Sequence, residues 1–139
     1  MAKVQFTVYG EAKGKARPRF SRVSGHTYTP KDTLYYESHV MNSFKEACPD
    51  WKPSDKALMA YVNVYTQIPK STSKKKKILM LKHLLHPAKR PDADNIMKAI
   101  FDSLNGIAYV DDCQIVSIAY NKMYDDVPRV EVTLTELEE

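Results

Sequence analysis

The stretch Arg90–Gln114, RPDADNIMKAIFDSLNGIAYVDDCQ, gathers five aspartates in a chain whose net charge is +4. They fall as two close pairs, Asp92 with Asp94 and Asp111 with Asp112, and a single Asp102 between. Pro91 biases Arg90 toward an extended conformation. From Asp94 to Leu104 the apolar residues Ile96, Ala99, Ile100 and Leu104 recur at helical spacing, and Asn105-Gly106 supplies a stop. Residues two apart in an extended segment point to the same side, so Asp92 and Asp94 can face one point beside a helix start. Asp111 and Asp112 end the loop that enters the strand Gln114–Tyr124. If that strand lies beside the helix start, three or four carboxylates converge.

Unit charges about 4 Å apart repel by roughly 4 kcal/mol at an effective dielectric near 20. Such a group is tenable only with a proton or a bound cation. Oxygen-only donors suit Mg²⁺, with Mn²⁺ as a substitute, and the histidines and Cys113 lie outside the constellation. Lys98 follows Asp94 by one helical turn. It is either an ordinary ion pair or a positive charge beside a reacting phosphate. Asp102 continues the same polar stripe and is read as structural, and Asn95 as a cap or a ligand.

Outward from this stretch, the chain reads as one domain, residues 1–139. Val4–Gly10 alternates as a strand, with Val4, Phe6 and Val8 on one face. A helix is expected from Thr29-Pro30, with Thr29 as cap and Leu34, Met41, Phe44 and Cys48 on its inner face. Ala57–Ile68 is β-branched and aromatic, hence a strand. Ser73–His86 has helical character, with Ile78, Leu81, Leu84 and Leu85 inward. Arg129–Thr135 is the last strand. It is read as a hairpin with Gln114–Tyr124, and the terminal ELEE as a frayed end. The fold class is therefore α/β (α+β), a mixed sheet with helices in the order β-α-β-α-α-β-β. A helix between the first two strands allows them to form a parallel pair.

The 21 basic residues against 17 acidic ones give a pI near 9.0. The excess is local. Lys13, Lys15, Arg17, Arg19 and Arg22 form one acid-free run, and Lys70 with Lys74, Lys75, Lys76 and Lys77 another. Such patches favour an anionic polymer. No apolar run reaches the length of a membrane span, and the N-terminus lacks the apolar core of a signal peptide. The two cysteines, Cys48 and Cys113, show no metal or disulfide spacing and suit a reducing compartment. Tyr35, Tyr36 and Trp51 are read as packing residues before they are read as platforms for unpaired bases. On the residues alone, a metal-dependent nuclease, including one of looser habit that cuts flaps, forks or single strands, a non-catalytic DNA-binding module with structural acids, and an ion-regulated interaction protein with no DNA role all remain open.

The pattern PDxDNxxKxxxDxLNG, followed by DDxQI, resembles the RusA family of Holliday-junction resolvases, often carried by phages and prophages. The matching positions are Pro91, Asp92, Asp94, Asn95, Lys98, Asp102, Leu104, Asp111, Asp112 and Gln114. KARPRFSR, IPKSTSKKKK and PRVEV extend the similarity over most of the chain. The resemblance implies a homodimer that cuts four-way DNA junctions with Mg²⁺ by paired symmetric nicks. It also implies a cytoplasmic, nucleoid-associated setting. Asp92, Asp94 and Asp112 would hold the metal, with Asp111 an accessory and Lys98 the essential lysine. Water would attack in line and leave 5′-phosphate and 3′-hydroxyl ends. Arg17, Arg19, Arg22 and Lys74–Lys77 would contact DNA phosphates.

Overall fold

A computed structural model describes residues 2–137. Its main sheet has four strands: β1 (Lys3–Tyr9), β4 (Leu58–Gln67), β5 (Ile115–Asp125) and β6 (Arg129–Glu136). The helices are α1 (Lys31–Ala47), α2 (Lys74–Leu81) and α3 (Ala93–Ser103). Between β1 and α1 the chain adds a short ribbon, β2 (Arg19–Phe20) antiparallel to β3 (Thr27–Tyr28). The sheet is mixed, as expected, and the order of the main elements is the expected one.

Two pairings differ from the sequence reading. Strand order is β1-β6-β4-β5, with β6 antiparallel to both β1 and β4, and β4 parallel to β5. β5 and β6 are therefore no hairpin, and the parallel pair is not β1 with β4. The burial of side chains explains the arrangement. Val130, Val132 and Leu134 of β6 are fully covered, so β6 takes a central place. β5 carries Lys122 and the exposed Val116 and Ile118, so it takes an edge. Asp125 receives the Nη1 of Arg129 at 2.6 Å and closes the connection between them.

Alternate residues of β1, β4 and β6 face one core. Val4, Phe6 and Val8 meet Val62, Val64, Val130 and Val132, under Val40 and Phe44 of α1 and Ile96 and Ile100 of α3. The edge of Phe6 meets the ring of Phe44, with centroids 5.3 Å apart. The inner face of α1 is Thr33, Tyr36, Val40 and Phe44, so the expected stripe is turned by about one residue and Leu34 is 49% exposed. Thr33 tolerates burial because its Oγ1 accepts the amide of Ala16 at 3.2 Å. Pro30, not Thr29, caps this helix, without a side-chain bond.

α2 is shorter than expected. Ser73 caps it by accepting the Lys76 amide, and it stops before His83, whose φ is 60°. Its buried residue is Met80, set against Ile68 and Tyr124; Leu85 packs beside them, while Ile78, Leu81 and Leu84 are exposed. Of the terminal acids expected to fray, Glu136 closes β6, and Glu138 and Glu139 lie outside the described residues.

Candidate active site

α3 carries the acidic motif, and its inward residues fix how the motif is shown. Ile96, Ala99, Ile100 and Leu104 are all essentially inaccessible, which leaves Asp94, Asn95 and Lys98 on the outer ridge. Asp92 is the N-cap residue, extended at φ −77° and ψ 161°, but its side chain makes no capping bond. Its carboxylate is exposed at the positive end of the helix and free for other work. No ion pair joins Lys98 to Asp94 among the described residues. Of the two readings of Lys98, the helix ion pair is not formed, and its ammonium has no carboxylate partner among the described residues.

The segment before α3 is tied down from three sides. The Lys122 ammonium of β5 donates to the carbonyls of Lys89 (2.5 Å) and Pro91 (2.7 Å). Burial, then Lys89, lowers the pKa of Lys122, and Asp92 opposes that shift. The Lys15 amide donates to the Asn95 carbonyl at 3.0 Å. Gly14 passes so near the motif that a Cβ there would stand 3.1 Å from the Cβ atoms of both Asn95 and Pro91. The result is a cleft of about 580 Å³ lined by Gly14, Lys15, Arg90, Pro91, Asp92 and Asn95. A second cleft, with Lys89, Arg90, Tyr120 and Lys122, opens on the other side of Asp92. Asp92 therefore stands between two basic walls.

The second acidic pair sits at the other end of α3. Gly106 (φ 76°) reverses the chain, and its amide reaches the Tyr109 carbonyl at 2.8 Å. Gln114 then organises the loop with one amide group. Its Oε1 accepts the amides of Val110 and Asp111, both at 2.9 Å, and its Nε2 donates to the carbonyls of Ser54 (2.8 Å) and Lys56 (2.9 Å). Asp111, expected as an accessory ligand, accepts the Cys113 amide at 3.3 Å, and the Cys113 side chain and amide hold its pKa below the ordinary value. Asp112 is oriented by its amide, which donates to Asn105 Oδ1 at 2.9 Å.

Asp112 faces Asp102. Burial, the neighbouring Asp102 carboxyl and Asp111 raise its pKa. Beneath them the buried Tyr109 hydroxyl donates to the Phe101 carbonyl at 2.6 Å. Its own pKa is raised by burial and by Asp112, Asp102 and Asp111. Lys15 supplies the counter-charge: its Nζ lies 3.1 Å from Asp102 and 3.0 Å from Glu37.

The carboxylates expected to converge are thus divided. Asp92 and Asp94 lie at the start of α3, whereas Asp112 pairs with Asp102 about 12 Å of helix rise further on. Among the described residues no three His, Cys, Asp or Glu side chains stand close enough to hold a metal ion. The donors fit a hard cation in chemistry, but one chain does not gather them into one metal site. Asp102, read as structural, does bind Lys15 and also joins the acidic group. Lys15, Arg90 and Lys122, which line the clefts beside Asp92, are not singled out by the sequence motif. For Arg90 the signal was present, since it directly precedes Pro91. For Lys15 and Lys122 it lies in tertiary contacts alone.

Of the expected DNA-contacting residues, Lys74–Lys77 are exposed at the start of α2, with Lys77 3.6 Å from Asp126. Arg17, Arg19 and Arg22 are exposed in and beside the β2–β3 ribbon. Tyr36 is a core residue, and Trp51 donates its indole N–H to the Ala108 carbonyl at 2.9 Å, so both pack. Tyr35 is 71% exposed.

Comparison with known proteins agrees with this motif. The chain is 38% identical to an uncharacterized Bacillus subtilis (strain 168) protein, YqaN, over 96% of both chains. Residues 10–135 match the family described as Endodeoxyribonuclease RusA. That family comprises nucleases that resolve Holliday junctions, bind branched DNA and generally need a divalent metal. The match takes in both acidic pairs, Lys98 and both basic runs, and the chain belongs to the RusA endodeoxyribonuclease family.

Proposed function

We propose that this chain resolves four-way DNA junctions as a Mg²⁺-dependent homodimer, nicking symmetrically paired strands to leave 5′-phosphate and 3′-hydroxyl ends. The observation that carries the reading is the outer ridge of α3. Asp92, Asp94 and Lys98 are all exposed there and form no ion pair among the described residues, and Asp92 lines clefts walled by Lys15, Lys89, Arg90 and Lys122. A phosphodiester is an anion that repels a nucleophile, so a site for cutting it needs fixed positive charge and carboxylates in one place. Arg90 orients the phosphate at the cleft mouth. Lys98 places a free ammonium where charge develops on the non-bridging oxygens. Asp92 and Asp94 are the oxygen donors suited to Mg²⁺ on this ridge, with Mn²⁺ as a substitute; Asp112, at the far end of α3, stands apart from them within one chain. A four-way junction has two-fold symmetry, and paired cuts call for two copies of the chain.

The test is an end-labelled four-way junction beside linear duplex of the same sequence, each with Mg²⁺ or EDTA. Paired symmetric nicks in the junction, lost in EDTA, are the expected result. Junction binding without cleavage in either Mg²⁺ or Mn²⁺ would overturn the catalytic reading and leave a junction-binding protein.

The lysine run gives a second expected outcome. α2 packs against Tyr124, whose ring lies 5.9 Å from the Lys89 ammonium, so the run borders the segment that leads to Asp92. Replacing Lys74, Lys75, Lys76 and Lys77 with alanine should weaken junction binding and lower the log–log salt slope by about 3. An unchanged slope would make these lysines a solvated face.

A further inference from the structure

Among the described residues the β2–β3 ribbon stands outside the main sheet and its two strands pair only with each other. From Arg17 to Tyr28 every residue except Ser21 is exposed, including Phe20 at 62%, Tyr28 at 48% and Val23 at 100%. A lone two-stranded hairpin is marginal in water, and an aromatic ring left in water gains nothing for folding. Yet the turn is specified. Ser21 N–H donates to the His26 carbonyl (2.9 Å), Gly25 N–H to the Ser21 carbonyl (2.8 Å), and Ser24 N–H to Ser21 Oγ (3.2 Å). Gly25, at φ 71°, supplies the left-handed step that the turn needs.

The register distributes the side chains. Arg19 stands opposite Tyr28, and Phe20 opposite Thr27, so the two rings lie on opposite faces of the ribbon. No acid occurs between Lys13 and Lys31, while Arg17, Arg19 and Arg22 do. Two such ribbons repel each other, which disfavours a second copy as occupant; a polyanion is attracted. A two-stranded ribbon also has the width that a DNA major groove admits.

Resting on the junction reading above, we propose that the β2–β3 ribbon enters DNA at the branch point, with its arginines on phosphates and Phe20 stacked on a base at the crossover. Base stacking is open to Phe20 only where bases are unstacked, as at a branch. The arginines act on any duplex. Phe20 therefore contributes selectivity for the junction, and Arg17, Arg19 and Arg22 contribute general affinity.

The experiment measures binding of a labelled junction and of linear duplex, over a salt series, for the wild-type chain, Phe20→Ala, Phe20→Trp and the triple arginine-to-alanine variant. Phe20→Ala should weaken junction binding roughly 5- to 100-fold, with duplex binding and the salt slope unchanged. Phe20→Trp should restore junction affinity. The triple variant should weaken both substrates and lower the slope by up to about 3. Wild-type junction preference that survives Phe20→Ala would overturn this inference alone. No junction preference in the wild type would overturn the junction reading and this inference with it. Equal weakening on both substrates would make Phe20 a support for the ribbon rather than a selector. Sedimentation showing that Phe20→Ala turns a dimer into a monomer would assign the ribbon to a contact between copies. Both of these results overturn the proposal.

Discussion

Asp94→Asn is expected to lower the rate of junction cleavage by two to three orders of magnitude while leaving junction binding intact. Cation-assisted phosphoryl chemistry draws several kcal/mol from its carboxylate-held charge, and each 1.36 kcal/mol is tenfold in rate. Asparagine keeps the size and one oxygen but loses the charge. The position permits a clean test. Asp94 is exposed on α3, makes no ion pair among the described residues, and covers none of the core. Thermal unfolding of the variant should therefore match the wild type. DNA affinity should hold or rise slightly, because one negative charge leaves a surface that faces phosphates. Asp92→Asn should behave alike, since its side chain is not spent on capping the helix. Single-turnover cleavage and anisotropy on the same junction separate the two effects. Full activity of both variants would move the chemistry away from the start of α3.

What the sequence made legible follows from how local each signal is. The core face of α3 was readable because Ile96, Ala99, Ile100 and Leu104 repeat within one helix, and all four are inaccessible in the structure. The same holds for Val4, Phe6 and Val8 in β1. Strand partners were not readable. The short turn at Asp125–Pro128 looks like a hairpin, but β6 is drawn between β1 and β4 by the burial of its three apolar side chains. On α1 the helical spacing points to Leu34 and Met41, whereas Thr33 and Tyr36 are the buried residues, and their burial depends on partners elsewhere in the chain, such as the Ala16 amide. The acidic motif was legible as a list of residues and illegible as a shape. Its division between the two ends of α3 depends on Asn105, Gly106 and Gln114 folding the loop so that Asp112 meets Asp102.

Lys15→Met is expected to destabilise the fold by roughly 2–3 kcal/mol, because it leaves partly buried acids without their cation. Lys15 Nζ bridges Glu37 of α1 and Asp102 of α3, at 3.0 and 3.1 Å, with all three side chains less than a third exposed. Asp112 crowds Asp102 from the other side. Methionine keeps the length of the stem and removes the charge, so the loss reports electrostatics rather than packing. For a chain of this size the unfolding midpoint should fall by roughly 6–12 °C. The pH dependence has a definite sign. Burial works against the charge on Lys15, but Glu37 and Asp102 outweigh it and hold the pKa above its ordinary 10.5. A raised folded-state value gives stability that is complete below the unfolded value and is lost as pH climbs through the folded one. The gap between wild type and Lys15→Met should therefore stay constant from neutral pH to about 9 and narrow above 10.5. Adding Asp102→Asn to Lys15→Met should recover part of the loss, since it removes a charge that faces Asp112; urea unfolding of the four proteins in that cycle measures the coupling. A cost below about 0.5 kcal/mol for Lys15→Met would place the bridge among solvated surface pairs. It would also mean that the acids at the far end of α3 are held in place by the Gln114 loop alone.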